Sequence, residues 1–334
     1  MRVWGALVLA CALVAAGCGS AEPEELPPAA EPAKSPPLRE EPAGQTIETG
    51  SMPEGIVADG RTGRVAVSLR NPDVLALVDA RRGRVVRRVP IPESARHLSL
   101  VAPGGTVIVP SERANTLAQV SLPGGKVTPT KVGNYPHDAV AAGGRVFVGD
   151  ERGSTVTVLE GDRVIKTFKV ALQPGGLAPL DGGRKLAVVS VKERVLEIFD
   201  TRTFKRLGRV DAGVGVTHVV TDGKNVGWIT DTSGDALLVF SLKPKLQIIR
   251  RYALLGSPYG IALDPRPGNR RLWVTLTRTN ELIELTATSR PYELRRYPAV
   301  RQPDTVAVDD RTGRVFVTGT ADGVLQVVDP ITRP

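Results

Sequence analysis

Cysteine is almost absent. The chain has two, Cys11 and Cys18, both within its first twenty positions. Everything downstream is free of thiols and disulfides, so its stability must come from packing alone. Aromatic residues make up only 4%. The core therefore has to be built from Val, Leu, Ile and Ala, and no aromatic platform is offered for stacking nucleic-acid bases. No segment beyond the first twenty residues shows helical periodicity. The motifs G-x-S-x-G and H-E-x-x-H and a phosphate-binding loop are missing too, so the sequence carries none of the catalytic signatures that go with them.

What is present is β-branched residues and turn chemistry. Hydrophobic residues reach 41%, enough for a sizeable core, and 35 Gly and 27 Pro punctuate short Val-rich runs. That combination predicts many short strands with frequent turns.

The opening MRVWGALVLACALVAAGCGS has a basic start at Arg2 and an apolar run from Val3 to Ala16. The run is too short to span a bilayer and reads as the hydrophobic region of a signal sequence. Ala15-Ala16-Gly17-Cys18 resembles the lipobox of bacterial lipoproteins, with Ala15 in the position usually held by Leu. The resemblance implies a signal peptide at 1–17, lipidation of the Cys18 thiol, and a lipid-anchored protein at the cell membrane on its extracytoplasmic side. A plain secretory signal with an incidental cysteine is the alternative. Residues 18–44 are dominated by Pro, Glu and Ala. Such a segment cannot bury enough surface to offset its conformational entropy, and its proline favours an extended tether. A disordered spacer is expected there.

From residue 45 to 334 the chain repeats itself. Seven segments share one grammar, beginning at Pro53, Ala95, Pro136, Pro174, Val216, Pro258 and Pro303, at intervals of 42, 41, 38, 42, 42 and 45 residues. All but the last contain four short β runs separated by turn residues, the period and count of a β-propeller blade. The second runs read Arg271-Leu-Trp-Val-Thr275, Arg314-Val-Phe-Val-Thr318, Arg145-Val-Phe-Val-Gly149 and Asn225-Val-Gly-Trp-Ile-Thr230. These resemble the YVTN-type repeat of seven-bladed propellers, the YncE-like group, and the resemblance covers residues 45–334. No Gly-His…Trp-Asp pair recurs, which argues against WD40 repeats. The fold class expected is all-β, a seven-bladed β-propeller. Its last blade stops after three strands, so the leading segment Gln45–Gly50 is expected to supply the fourth and close the ring, leaving no open sheet edge. That would put the near-duplicate stretches PEGIVADGRTGRV (53–65) and PDTVAVDDRTGRV (303–315) on adjacent blades.

All three histidines stand where an innermost strand begins: His97 after Arg96, His137 before Asp138, and His218. The same two columns elsewhere hold Glu54, Tyr259 and Asp304. Glu54, Arg96, His97, His137, Asp138, His218, Tyr259 and Asp304 are therefore the candidate channel-mouth site. Such a ring suits a polar small molecule or a divalent metal, and polar side chains are also tolerated at a wet channel mouth. The histidines belong to blades two, three and five, so nothing in the pattern requires their rings to meet. No cofactor is expected, a divalent metal being the alternative. The charged loops on the same face, among them Glu112-Arg113 and Asp150-Glu151-Arg152, read as solvated.

The net charge is +9; the leader holds +1 and the spacer −4, leaving the repeats at +12. Arg81, Arg82, Arg84, Arg87 and Arg88 cluster on the outer hairpin of blade one, a patch able to meet anionic headgroups or wall polymers. Two functions remain open. The first is a tethered, monomeric binding or scaffold module for a protein, glycan or anionic envelope polymer. The second is a lactonase- or lyase-like enzyme with a metal or general base drawn from Glu54, His97, His137, His218 and Asp304. Cys18→Ser is expected to remove the protein from the membrane fraction; unchanged fractionation would show that the lipobox reading is wrong.

Overall fold

The computed structural model describes Met1 and residues 28–330. The signal peptide read at 1–17 and the lipidation read at Cys18 fall outside the described residues. The domain is a seven-bladed β-propeller, each blade a four-stranded antiparallel sheet. The innermost strands of successive blades pack side by side around the axis, that of blade seven, Pro303–Val308, returning against that of blade one, Pro53–Asp59.

Burial explains the strand sequences. In blade one the middle strands Arg64–Leu69 and Val74–Asp79 are buried along almost their whole length. Both of their faces are covered by neighbouring blades, so the apolar/polar alternation of a half-exposed strand disappears. The outermost strand, Arg84–Pro90, leaves Arg84, Val86, Arg87 and Arg88 in solvent and buries Val89. The core is correspondingly divided: among the described residues, each neighbouring pair of blades shares one apolar cluster. The scarce aromatics are spent there. Phe147, Trp228, Trp273 and Phe316 occupy one column of the second strand and are essentially fully buried, each such burial being worth roughly 1.5–3 kcal/mol.

Closure follows the expected route. Gln45–Glu48 pairs antiparallel with Val324–Val328, setting Ile47 opposite Leu325. The Thr49 and Gly50 amides both donate to the Gly323 carbonyl at 3.0 and 3.1 Å. The duplicated hairpins meet beside this seam. In each, the leading aspartate caps its own turn: the Arg311 and Thr312 amides donate to Asp309 Oδ1 at 2.9 and 2.7 Å, and the Thr62 amide to Asp59 Oδ2 at 3.2 Å. Gly63 and Gly313 hold the left-handed position with φ of 67° and 76°, where a Cβ would be strained. The two copies then join, the Gly60 amide donating to Asp310 Oδ1 at 2.8 Å.

Two features differ from expectation. Blade two has a vestigial innermost strand, Ser99–Leu100, and residues 92–98 are irregular. The spacer is also not free of the domain over its described part. Ser35 is only 5% exposed, and the Ala43 amide donates to the Pro298 carbonyl at 2.9 Å. Composition argued against a core of its own for this segment. It needs none, because it borrows hydrogen-bond partners from the propeller.

A Cβ on Gly60 would lie 2.6 Å from both Asp309 Oδ1 and Arg311 Cβ. Gly60→Ala is therefore expected to push the blade-seven hairpin aside and lower the melting temperature by several degrees, the overpacking cost being about 1–3 kcal/mol. Gly124→Ala, where a Cβ meets nothing within 4 Å, should leave it unchanged. Equal melting temperatures in differential scanning calorimetry would show that the hairpin junction does not bear on ring stability.

Candidate functional site at the channel mouth

The innermost strands share an irregularity at their first residues. Pairing with the second strand skips between Pro53 and Ile56, Pro136 and Asp138, Pro174 and Gly176, Val216 and Val219, Pro258 and Ile261, and Pro303 and Val306. A bulge removes residues from the ladder and re-aims their side chains. The bulged residues are Glu54, His137, His218, Tyr259 and Asp304 with their neighbours, the columns singled out in the sequence. Blade four has Gly175 there and offers no side chain. Blade two has no ladder at this point at all. The backbone there is held instead by the Ala95 amide on Ser68 Oγ at 2.8 Å and the Gly55 amide on the Ala95 carbonyl at 3.1 Å. This irregular stretch carries Arg96 and His97 to the mouth.

The three imidazoles meet, although their blades do not adjoin throughout. His97 lies between the other two, with ring centroids 4.8 Å from His137 and 4.4 Å from His218. His218 Nδ1 is 2.9 Å from the Tyr259 carbonyl oxygen, which only accepts, so Nδ1 carries the proton. In neutral His218 the Nε2 lone pair is then free to accept, and His97 Nε2, 3.1 Å away, donates to it. Burial, reinforced by the charges of His218, His137 and Arg96, holds His97 well below the usual histidine range. Burial likewise lowers His218, to about 4, against the hydrogen bond to Tyr259. The Tyr259 ring stands edge-on to His218, with centroids 4.5 Å apart.

His137 is the exception. Its Nδ1 lies 3.2 Å from Glu112 Oε1 and 3.4 Å from Glu151 Oε2. Burial opposes its cation, but the hydrogen bond and charge of Glu112, with Glu151, outweigh it and raise the pKa. The Glu112 side chain is only 2% exposed, and it also lies 3.7 Å from Arg96 Nε. Glu112 and Glu151 were read as solvated loop charges; instead they point inward and orient an imidazole. Their only sequence signal was position, in the loops that share the face with the bulges.

Arg96 links the two halves of the mouth. A cavity of about 170 Å³ runs down the channel, lined by Arg96, His97, Asp138 and His218. A smaller one of about 90 Å³ lies outside it, lined by Glu54, Arg96, His97, Tyr259 and Asp304. Glu54 is paired with Arg70 at 2.7 Å. Asp304 accepts from Gln302 Nε2 at 2.9 Å, and burial raises it to about 6. Asp138 faces the channel but mainly joins blades, accepting the Leu177 amide at 2.7 Å; burial raises it to about 6 as well. Among the described residues no group of three or more His, Cys, Asp or Glu is arranged to hold a metal ion.

No protein-family model matches the chain, and no curated protein sequence matches it. Solved structures match in fold. The hydrazine synthase of Kuenenia stuttgartiensis aligns with a TM-score of 0.75 at 14% identity, over 87% of this chain and 99% of that one. Virginiamycin B lyase from Staphylococcus aureus aligns at 0.69 and 14% identity, over 86% and 99%. The Cps50 (Swd1) β-propeller domain of Myceliophteria thermophila aligns at 0.73 and 11%, over 87% and 99%. At these identities the likeness is one of fold alone.

The depressed pKa of His218 has a measurable consequence. Unfolded histidine titrates near 6.5 and folded His218 near 4. Between these values the unfolded chain binds the extra proton, so this residue costs stability as pH falls from 6.5 to 4, on the order of 3 kcal/mol in all. Asp138 and Asp304, raised to about 6, act in the opposite direction over the same range. The contribution is therefore read as a difference: the stability of wild type relative to His218→Asn should fall between pH 7 and pH 4 in urea titrations. A difference that stays constant with pH would mean that His218 is not held neutral.

Proposed function

We propose that this protein is an exported, lipid-anchored binding module of the YncE-like propeller kind, and that its ligand is a small polar molecule held at the channel mouth. One observation carries the reading. Six of the seven blades send a titratable or hydrogen-bonding side chain to one mouth: Glu54, His97, His137, His218, Tyr259 and Asp304. Gathering such groups away from water costs free energy. The ring does not need them, because its blades are held by the apolar clusters between them. Groups that weaken a fold without being required by it mark a functional site.

A second reading is supported by the Glu112–His137 pair. The buried carboxylate on Nδ1 raises the basicity of this imidazole, so that once deprotonated its Nε2 is a strong general base, which suits proton abstraction in an elimination. Virginiamycin B lyase shows that the fold accommodates a lyase.

The test is a thermal-shift panel of neutral sugars, sugar acids, amino acids and dicarboxylates, run on wild type and His137→Ala. A ligand at a hundred times its Kd should stabilise wild type by about 2.7 kcal/mol and lose most of that effect in the variant. Equal stabilisation of both proteins would place the ligand elsewhere and end the channel-mouth reading. A ligand recovered unchanged after incubation is bound; one converted only when His137 is present is a substrate.

A further inference from the structure

Upstream of the closing strand the chain doubles back over the mouth. Its anchor is Ala33–Pro36, inserted between the loops of blades six and seven. The Ser35 amide donates to Gln302 Oε1 at 2.9 Å, and Ser35 Oγ accepts from the Gln302 amide at 3.1 Å. Gln302 Nε2 donates to the Ala33 carbonyl at 3.1 Å, and Asn280 Nδ2 to the Pro36 carbonyl at 2.9 Å. Beyond this buried point the arm is held differently. Glu31 and Pro32 roof the 90 Å³ cavity above Glu54, His97, Tyr259 and Asp304. Glu31 Oε2 lies 3.1 Å from Arg96 Nη1, with the Glu31 side chain 65% exposed.

We propose that Glu31–Pro32 is an internal lid, in which the Glu31 carboxylate occupies on Arg96 the place of a carboxylate of the ligand. This rests on the channel-mouth reading and narrows it to an acidic small molecule. The charge arrangement supports that class. Glu54 is already neutralised by Arg70 and Asp304 is hydrogen-bonded to Gln302, so neither calls for a cation. Arg96 is not saturated: its buried Nε makes no hydrogen bond, with Glu112 Oε1 only as near as 3.7 Å, and a guanidinium receives a carboxylate best through two donors. The closed state is easily released. An exposed ion pair biases an equilibrium by roughly two- to five-fold, and Pro28 and Pro32 stiffen the arm so that little backbone freedom is redistributed when it lifts. Ser35, by contrast, stays anchored and serves as the pivot. A ligand that must first open the lid binds with its affinity reduced by the open fraction.

Succinate is the probe and succinamide its neutral control, in calorimetric titrations at low salt. Glu31→Gln should bind succinate about two- to five-fold more tightly than wild type, and Arg96→Gln should lose it. Because Glu31 is exposed, that variant folds or fails independently of the core. Unchanged or weaker succinate binding by Glu31→Gln would refute the lid while leaving the mouth a ligand site. Succinate binding by none of the proteins, with succinamide or a sugar still acting through His137, would refute the acidic class alone. Loss of every His137-dependent ligand would remove the channel-mouth reading itself.

Discussion

The structure depends on packing between blades. A four-stranded sheet of this sequence is apolar on both faces of its middle strands, so no blade is stable in water by itself. Val65, Val67 and Ala76 on the blade-one side of the seam meet Ile47, Ala307, Phe316 and Leu325 on the blade-seven side. The same kind of contact recurs at every junction. Stability is thus close to a sum of nearest-neighbour terms, and a ring has one more such term than an open array of the same blades. That extra term is obtained only if the ends meet. The strand from the N-terminus, the fused hairpins and Gln326 all serve this closure; Gln326 Nε2 donates to the Ala43 carbonyl at 2.8 Å and to the Pro298 carbonyl at 2.9 Å.

Once the ring is closed without help from the axis, the axis is free to be polar. The bulges that open six of the seven innermost strands take residues out of the ladder, and out of the duty of pairing. Tautomers then follow from fixed acceptors. The Tyr259 carbonyl sets His218, His218 sets His97, and Glu112 sets His137. Each buried nitrogen placed in this way has a defined role, which limits the desolvation cost to what the hydrogen bonds return. One imidazole, His137, has its pKa raised and the other two have theirs lowered, with His97 within about 5 Å of both neighbours. Environment alone separates them, as it separates acid from base in sites that work near neutral pH.

Much of the fold was legible in the chain because it rests on local, repeated information. Strand period and turn residues recur in seven segments spaced 38–45 residues apart, and each repetition corrects accidents in the others. The duplicated Asp-x-Arg-Thr-Gly-Arg stretches could be assigned to neighbouring blades for the same reason. Column position also found His97, His137, His218, Glu54, Tyr259 and Asp304, since equivalent residues of a propeller lie at equivalent heights.

What the sequence could not decide was how far across the axis a side chain reaches. His97 touches His218 because blade two lacks most of its innermost strand, an omission visible only when pairing partners are known. Glu112 and Glu151 look like any other charged loop residues until burial turns them toward His137. The arm at Glu31–Ser35 looked disordered because its composition supports no core. It is ordered by partners some 240 to 270 positions away, Thr277, Asn280 and Gln302. Periodicity determined the blades and the ring; contacts between residues remote in sequence decided the site, because burial, protonation and charge pairing depend on which groups meet in space.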